Sequence, residues 1–329
     1  MLYLKIKKSS LVGFNRDGEY IVNILKCIGS GSYGYIFLMD YNNYVMKILV
    51  DEEIEESLTD YDEISIIDKI IDNKGLEINN RKYAYGEIMT RGKENFVRKG
   101  SIFLNFNEKD EKNIKSSFIS KNGRRRIFNL YQNNKVIIMP LFVSFYDYKK
   151  LADVYIKKEK ILLIFINCLI KSVDELLEMG LINIDLKMNN IMIDENNKLK
   201  IIDFGMILNS DKLDKKMEHN IKYYIWPNNR NFTYSMIISY MISVFILEII
   251  YENNVYEFHR DSSMINFCVN NFLNSSIYSS EFKELIKQSL IDGLDFNKFK
   301  EKFYLFGENE RDIPNMYHIM LYNKGIKIF

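Results

Sequence analysis

Four polar residues between positions 185 and 203 have the types and the spacing that transfer of a phosphoryl group requires. Lys187 and Asn190 follow Asp185 by two and five positions, and a second acid, Asp203, lies thirteen positions after the amide. The oxygens of Asn190 and Asp203 are of the kind that Mg²⁺ accepts as ligands. Beside such a cation, Asp185 can take a proton from an attacking hydroxyl, and Lys187 can offset charge on the transferring group.

The residues between these two acids predict a β-hairpin. Apolar residues 191–193 and 199–202 flank an Asp-Glu-Asn-Asn turn, which is the pattern of two short antiparallel strands. A hairpin of this kind holds Asn190 and Asp203 close together at its open end. The sequence therefore predicts a shared cation site there, with Asp185 next to it.

A glycine-rich segment near the N-terminus predicts a phosphate-binding loop. Residues 29–36 have the form G-x-G-x-x-G-x-I, and the same glycine spacing also marks dinucleotide-binding turns that open a helix. Here β-prone residues 35–39 follow, then a turn and an apolar run at 44–50, so strand, loop, strand, turn and strand is expected. Backbone amides in such a loop can approach phosphates closely. The predicted nucleotide-binding residues of this segment are Ile28, Gly29, Ser30, Gly31, Gly34 and Ile36.

Together these motifs resemble those of the eukaryotic-type protein kinases. In that family the catalytic loop is His-Arg-Asp-Leu-x-x-x-x-Asn and the metal-binding motif is Asp-Phe-Gly. This chain has Asp-Leu-Lys-Met-Asn-Asn at 185–190 and Asp-Phe-Gly at 203–205. Asp-Leu-Lys-x-x-Asn is the Ser/Thr form of the motif. The resemblance implies a serine/threonine protein kinase that uses ATP and Mg²⁺ and phosphorylates protein substrates.

Lys47 resembles the lysine that holds the α- and β-phosphates of ATP in this family. It lies within the apolar run Val-Met-Lys-Ile-Leu, where an ammonium group is costly unless it finds a partner. In active kinases that lysine also pairs with a glutamate on the next helix. Glu63, in the amphipathic segment 62–71, is the expected partner, and Glu87 is the alternative.

A third apolar run resembles the strand that leads into the kinase hinge. Residues 135–142 read Lys-Val-Ile-Ile-Met-Pro-Leu-Phe, and the proline cannot extend a strand ladder. The resemblance implies that Met139 is the gatekeeper and that the backbone of Pro140, Leu141 and Phe142 faces adenine. An ordinary edge strand is the alternative interpretation of each residue taken singly.

These motifs imply an α+β fold with the two lobes of a protein kinase. Residues 1–141 are expected to form a small, mainly β N-lobe with an insertion at 74–134, and residues 142–329 a larger, mainly α C-lobe. The two lobes are expected to share one active-site cleft. Two apolar stretches, 160–170 and 236–250, fall short of the ~20 residues that span a membrane, so both predict buried helices.

The composition points to neither a nucleic-acid nor a membrane partner. The 329 residues include 45 basic and 44 acidic side chains, which gives a net charge of +1. Three scattered cysteines, and opening residues unlike a signal peptide, favour a reducing, cytoplasmic location. Abundant Ile, Asn, Lys, Tyr and Phe indicate an A/T-rich genome, such as that of a large DNA virus.

Three features depart from the protein-kinase pattern. Asn183 and Ile184 replace the His-Arg pair before the catalytic Asp, and the segment 224–228 ends in Asn where the family has Glu. Ile238 occupies the place of an acid that ties a central helix to the catalytic loop. Without the arginine, activity is expected not to depend on a phosphate in the segment after Asp203.

Two other functions are compatible with the sequence. A pseudokinase that binds nucleotide or acts as a scaffold would explain the departures. A small-molecule phosphotransferase of the aminoglycoside-kinase type shares an Asp, Asn and Asp core, but it usually lacks the glycine loop and a lysine at the position of Lys187. The complete set of phosphate-handling residues favours an active kinase.

Overall fold

The computed structural model consists of two compact units, one mainly of residues up to Leu141 and one mainly of residues from Phe142 onwards. The structure describes residues 2–11, 13–14, 18–22, 24–31, 34–40, 43–49, 62–73, 83–90, 135–196, 198–217, 231–251, 262–306 and 319–321.

An antiparallel sheet of seven strands forms most of the first unit. The strands are β1 (Leu2–Ser9), β2 (Glu19–Ile21), β3 (Ile24–Gly31), β4 (Gly34–Met39), β5 (Tyr44–Leu49), β6 (Ala84–Thr90) and β7 (Lys135–Pro140). They lie in the order β2-β1-β6-β7-β5-β4-β3, and each neighbouring pair is antiparallel. The predicted succession of strand, glycine loop, strand, turn and strand is confirmed as β3, β4 and β5.

The two faces of this sheet carry different side chains, because residues along a strand alternate between faces. One face buries an apolar core: Leu4, Ile6, Phe37, Met39, Met46, Ile48, Ala84, Val136 and Ile138. The other face bears Lys47 and contacts α1 (Glu63–Asp72) through Glu63. Asp62 caps this helix by accepting the Ser65 N–H at 2.7 Å, which confirms the predicted amphipathic helix.

Strand β6 corrects the predicted insertion. Residues 84–90 lie inside the range 74–134, yet they form a strand between β1 and β7 and are no part of an extra loop. Ala84 and Gly86 have low β propensity, so the local sequence hides the strand, and pairing with a neighbour on each side stabilises it. The remainder of the range, apart from Tyr83, lies outside the described residues.

Helices make up most of the second unit. They are α2 (Phe145–Ile156), α3 (Glu159–Glu178), α4 (Tyr234–Ile250), α5 (Ser262–Asn274), α6 (Ser280–Lys287) and α7 (Phe296–Tyr304). The two apolar stretches are confirmed as the buried helices α3 and α4. In the part of the chain that the structure describes, no helix has the length and apolarity to cross a membrane.

Short strands position the predicted catalytic residues of this unit. They are β8 (Val143–Ser144), β9 (Leu181–Asn183), β10 (Ile191–Ile193), β11 (Leu199–Ile201) and β12 (Ile207–Asn209). After α3 the backbone of Gly180 turns with a φ of 77°, which favours glycine, and β9 then leads directly to Asp185. Strands β10 and β11 pair with Ile191 opposite Ile201, so the predicted hairpin is confirmed.

Candidate active site

Lys47 and Glu63 form a buried ion pair in the first unit. The Lys47 Nζ lies 2.8 Å from Glu63 Oε1 and 2.7 Å from Oε2, and the two side chains are 8 % and 9 % exposed. Glu63 is the first residue of α1, where the helix N-terminus favours a carboxylate. The alternative partner, Glu87, lies in β6 and pairs with Lys7 at 3.1 Å. Glu87 is therefore not the helix glutamate.

The glycine segment is a hairpin between β3 and β4. Gly29 pairs with Ile36, and Gly31 pairs with Gly34, while the two residues at the tip lie outside the described residues. A Cβ on Gly29 would meet Ile36 at 3.7 Å, an ordinary contact, so packing inside the hairpin does not require glycine there. Since packing does not require glycine here, its presence is consistent with a backbone that a ligand approaches closely. The predicted residues on these two strands are Ile28, Gly29, Ser30, Gly31, Gly34 and Ile36.

The hinge residues differ from one another in how their backbone is used. Met139 pairs with Val45 and is buried at the end of β7. The Leu141 N–H donates to the carbonyl of Asn43 at 2.8 Å, and Asn43 has a left-handed φ of 55°. The Leu141 N–H is thus used within the first unit, and the assignment of the backbone at 140–142 to adenine stays a prediction. Phe142 is half-buried.

Asp185, Lys187 and Asn190 contact one another directly in the second unit. The Lys187 Nζ lies 2.8 Å from both carboxylate oxygens of Asp185. The Asn190 Nδ2 donates to the Asp185 carbonyl oxygen at 2.9 Å and to Oδ2 at 2.8 Å. Asn183, which stands where the kinase family has His, accepts the Asp185 N–H at 2.8 Å. Asp185 is thus fixed by three side chains within seven positions of each other.

The surroundings of Asp185 act on its acidity in opposite directions. Burial of the carboxylate raises its pKa, and the charge of Lys187 lowers it; the hydrogen bonds from Lys187 and Asn190 lower it as well. The negative charge of the Asp203 carboxylate also raises the pKa of Asp185, which indicates that the two carboxylates lie near each other. Burial has the largest effect, so the pKa of Asp185 is raised overall. A carboxylate with a raised pKa is better suited to accept a proton near neutral pH.

Asn190 and Asp203 have oxygens that fit a hard cation. The Ile202 N–H donates to the Asn190 carbonyl at 2.8 Å, which places Asp203 beside the open end of the hairpin. Because the Asn190 amide nitrogen bonds to Asp185, its side-chain oxygen is the atom left to act as a ligand. Across the described residues no group of three His, Cys, Asp or Glu side chains could hold a metal. Phosphate oxygens and water would have to complete a Mg²⁺ shell.

Asp203 adopts an uncommon backbone conformation. Its φ is 65°, in the left-handed region that few residues besides glycine, Asn and Asp enter readily. The chain turns here between β11 and the buried Phe204. Strained backbone of this kind often occurs at functional sites.

Glu248 ties the catalytic loop to α4, and the sequence did not indicate this role. The Met188 N–H donates to Glu248 Oε2 at 3.2 Å, and the Lys149 Nζ donates to the Glu248 carbonyl at 2.7 Å. Ile238, where an acid was expected, is buried, so the tie runs from the end of α4 instead of its start. The signal in the sequence was a single acid in an otherwise apolar helix.

Ile184 replaces the family's arginine with apolar packing. Its side chain is 2 % exposed, and its N–H donates to the Met206 carbonyl at 3.1 Å. Strand β9 pairs with β12 just beyond, with Asn183 opposite Ile207. The segment 224–228 lies outside the described residues.

The mixed α and β fold, and a predicted catalytic loop followed by Asp-Phe-Gly, are compared here with a kinase-like family. Residues 126–237 match a family model described as the ABC1 atypical kinase-like domain, of the protein-kinase-like superfamily. The matched range includes β7, the catalytic loop, Asp203 and the first residues of α4. No curated protein that was compared with the chain matches it. This part of the chain is thus similar to an atypical kinase-like family.

Proposed function

We propose that this protein is an ATP-dependent serine/threonine protein kinase. The observation that carries the proposal is the set of contacts on Asp185: a lysine on both carboxylate oxygens and an amide on one of them. A buried carboxylate held in this way is positioned as a proton acceptor.

The proposed step is an in-line displacement at the γ-phosphorus of ATP. The acceptor hydroxyl gives its proton to the Asp185 carboxylate while its oxygen bonds to the γ-phosphorus. The bond between that phosphorus and the β,γ-bridging oxygen breaks, and ADP leaves with the bonding electron pair. Lys187, already at the carboxylate, lies close enough to offset charge on the transferring group.

Other residues have supporting roles in this proposal. Lys47, held by Glu63, binds the α- and β-phosphates, and the main-chain amides of the glycine hairpin bind the β- and γ-phosphates. Asn190 and Asp203 hold Mg²⁺, which neutralises charge on the phosphates when it is bound. The hinge backbone at 140–142 faces adenine in this proposal.

The acceptor is proposed to be a protein serine or threonine in a reducing compartment. Lys187 supports this choice because the spacing Asp-Leu-Lys-x-x-Asn is the Ser/Thr form.

Incubation of the purified protein with γ-labelled ATP, Mg²⁺ and generic protein acceptors tests the proposal. We expect label on serine or threonine, and no label with Asp185→Asn. Asp194→Asn is a matched control, because Asp194 is also a buried acid of this region. Its carboxylate accepts hydrogen bonds from the backbone N–H groups of Asn196 and Lys198 in the turn, and it lies 3.4 Å from the Lys200 Nζ.

Three results would contradict the proposal in different ways. Label on tyrosine alone would contradict the Ser/Thr assignment. Label on aminoglycosides or choline-like alcohols, with none on protein, would identify a small-molecule phosphotransferase. Stabilisation of the protein by Mg·ATP without transfer to any acceptor would identify a pseudokinase.

A further inference from the structure

Four residues in register form a row across four neighbouring strands of the first unit. Lys8 in β1 pairs with Tyr85 in β6, Tyr85 pairs with Ile137 in β7, and Ile137 pairs with Lys47 in β5. Directly opposed residues project from the same face of a sheet. Lys8 and the phosphate-site lysine, Lys47, are therefore the two ends of one row, on the face that contacts α1.

Both ends of the row bind acids of the same helix. Lys47 binds Glu63 in the first turn of α1. At the other end, the Lys8 Nζ lies 2.9 Å from Asp68 Oδ1 and 2.7 Å from Asp72 Oδ2. The Tyr85 hydroxyl, within the row, donates to the same Asp68 oxygen at 2.7 Å. We call Lys8, Tyr85, Asp68 and Asp72 the helix clamp.

A bulge in β1 puts Lys8 into the row. Strict alternation after Ile6 would place Lys7 opposite Tyr85, but the register shifts between Ile6 and Lys8. The bulge turns Lys8 to the helix face, while Lys7 forms a separate ion pair with Glu87.

Close backbone packing supports this register. A Cβ on Gly86 would overlap the Lys5 carbonyl oxygen, so β6 needs a glycine opposite the start of the bulge. Leu4 and Ile6 are buried in the core on the opposite face, which fixes β1 against slipping by one residue. The position of Lys8 is therefore set by the backbone and the core, and the ion pairs alone do not determine it.

We propose that the helix clamp holds α1 where Glu63 binds Lys47, and that Lys8 and Tyr85 are positioning residues for the phosphate-binding lysine. Asp68 lies five positions after Glu63 on a helix of ten residues, so a displacement at the clamp moves the glutamate with it. The clamp is built only from side chains of the first unit, and it requires no phosphate on the segment after Asp203. The consequence for ATP binding rests on the function proposed above.

Lys8→Ala and Lys7→Ala form a matched pair for the test. Both remove one lysine ammonium from β1, but only Lys8 contacts α1. We expect amide hydrogen exchange in α1 to accelerate about five-fold in Lys8→Ala and in Tyr85→Phe, and to stay at the wild-type rate in Lys7→Ala. Lys8→Arg should restore protection. Amides of the β10–β11 hairpin serve as the internal reference for a global loss of stability.

The second measurement is the KM for ATP, which should rise by a similar factor in Lys8→Ala, with kcat little changed. Equal exchange rates in α1 for Lys7→Ala and Lys8→Ala would overturn the clamp. Hydrogen exchange is measured without substrate, so its result does not depend on whether the protein transfers phosphate. If wild-type protein transfers no phosphate while Lys8→Ala still loosens α1, the clamp is upheld and the kinase proposal fails.

Discussion

The two groups of candidate site residues, one in each unit, are built in opposite ways. Asp185, Lys187 and Asn190 bond to one another within six consecutive residues, and one short loop carries their geometry. Lys47 and Glu63 meet only because a strand and a helix pack together, and α1 in turn contacts strands from distant parts of the chain. The group around Asp185 is a local structure, whereas the pair of Lys47 and Glu63 depends on tertiary packing. Substitutions around Asp185 should therefore lower the rate of phosphoryl transfer, and substitutions of the pair should lower stability and ATP affinity.

The largest effect is expected at Asp203, where charge and backbone conformation can be separated. Asp203→Asn removes the anionic ligand but tolerates a left-handed φ, so it should slow transfer on the order of 1,000-fold, about 4 kcal/mol of barrier, at an unchanged melting temperature. Asp203→Ala should lose the same activity and also about 1 kcal/mol of stability. Steady-state rates and thermal unfolding measure the two effects. Full activity in both Asp203→Asn and Asp203→Ala would exclude a metal-ligand role.

The ion pair of the first unit should respond in stability. Glu63→Ala removes the carboxylate closest to a buried ammonium group and should lower the free energy of unfolding by about 3 kcal/mol, as measured by urea denaturation. The double variant Lys47→Met with Glu63→Leu should lose less than half of that, because no charge is left buried. Strictly additive losses would mean that the two residues are not energetically coupled.

A smaller effect is expected where the catalytic loop meets α4. Glu248→Leu removes the acceptor of the Met188 N–H and should lower kcat about 10-fold, or about 1.4 kcal/mol of barrier, with little change in the KM for ATP. Glu248→Gln keeps an acceptor oxygen and should restore most of the rate. Ile238→Val is the control on the same helix. An equal loss in Glu248→Leu and Glu248→Gln would argue against a positioning role.

The pH dependence of kcat/KM should move when Lys187 is changed. Burial raises the pKa of Asp185, and Lys187 opposes this through its charge and its hydrogen bond. The base must be ionised to act, so Lys187→Met should shift the acidic limb of the profile to higher pH. Lys198→Met, in the turn between β10 and β11, is the control and should leave the limb in place. A limb that moves to lower pH would contradict the assignment of Asp185 as the titrating group.

The smallest effect is expected in the segment after Asp203. Ser210→Ala, combined with Tyr223→Phe and Tyr224→Phe, should change the single-turnover rate by less than about two-fold, because buried Ile184 cannot bind a phosphate. Of these three positions, only Ser210 lies within the described residues. A loss of about 100-fold, roughly 2.7 kcal/mol of barrier, that rephosphorylation restores would assign the arginine's role to another residue, with Arg230 the first to test.

The same contrast explains which features the sequence could predict. The hairpin with Asn190 and Asp203 at its open end was predictable, because its strands, turn and polar residues are consecutive. Strand β6 was not predictable, since Ala84 and Gly86 weaken its local β signal and Gly86 serves a close contact with another strand. Glu248 was visible as an isolated acid, but its partner Met188 lies sixty positions away. The bulge that selects Lys8 over Lys7 has no sequence signature.

The position of β7 in the sheet has a consequence for the order in which the first unit can fold. This strand alone joins β2-β1-β6 to β5-β4-β3, and it is the last of the seven along the chain. During synthesis the ribosome therefore releases two separate three-stranded pieces before residues 135–140 emerge. Lys8 and Lys47 belong to different pieces, and they come into register only when β7 inserts between β6 and β5. Closing such a sheet needs contacts between residues far apart in sequence, so we expect this insertion to be one of the late steps in forming the sheet.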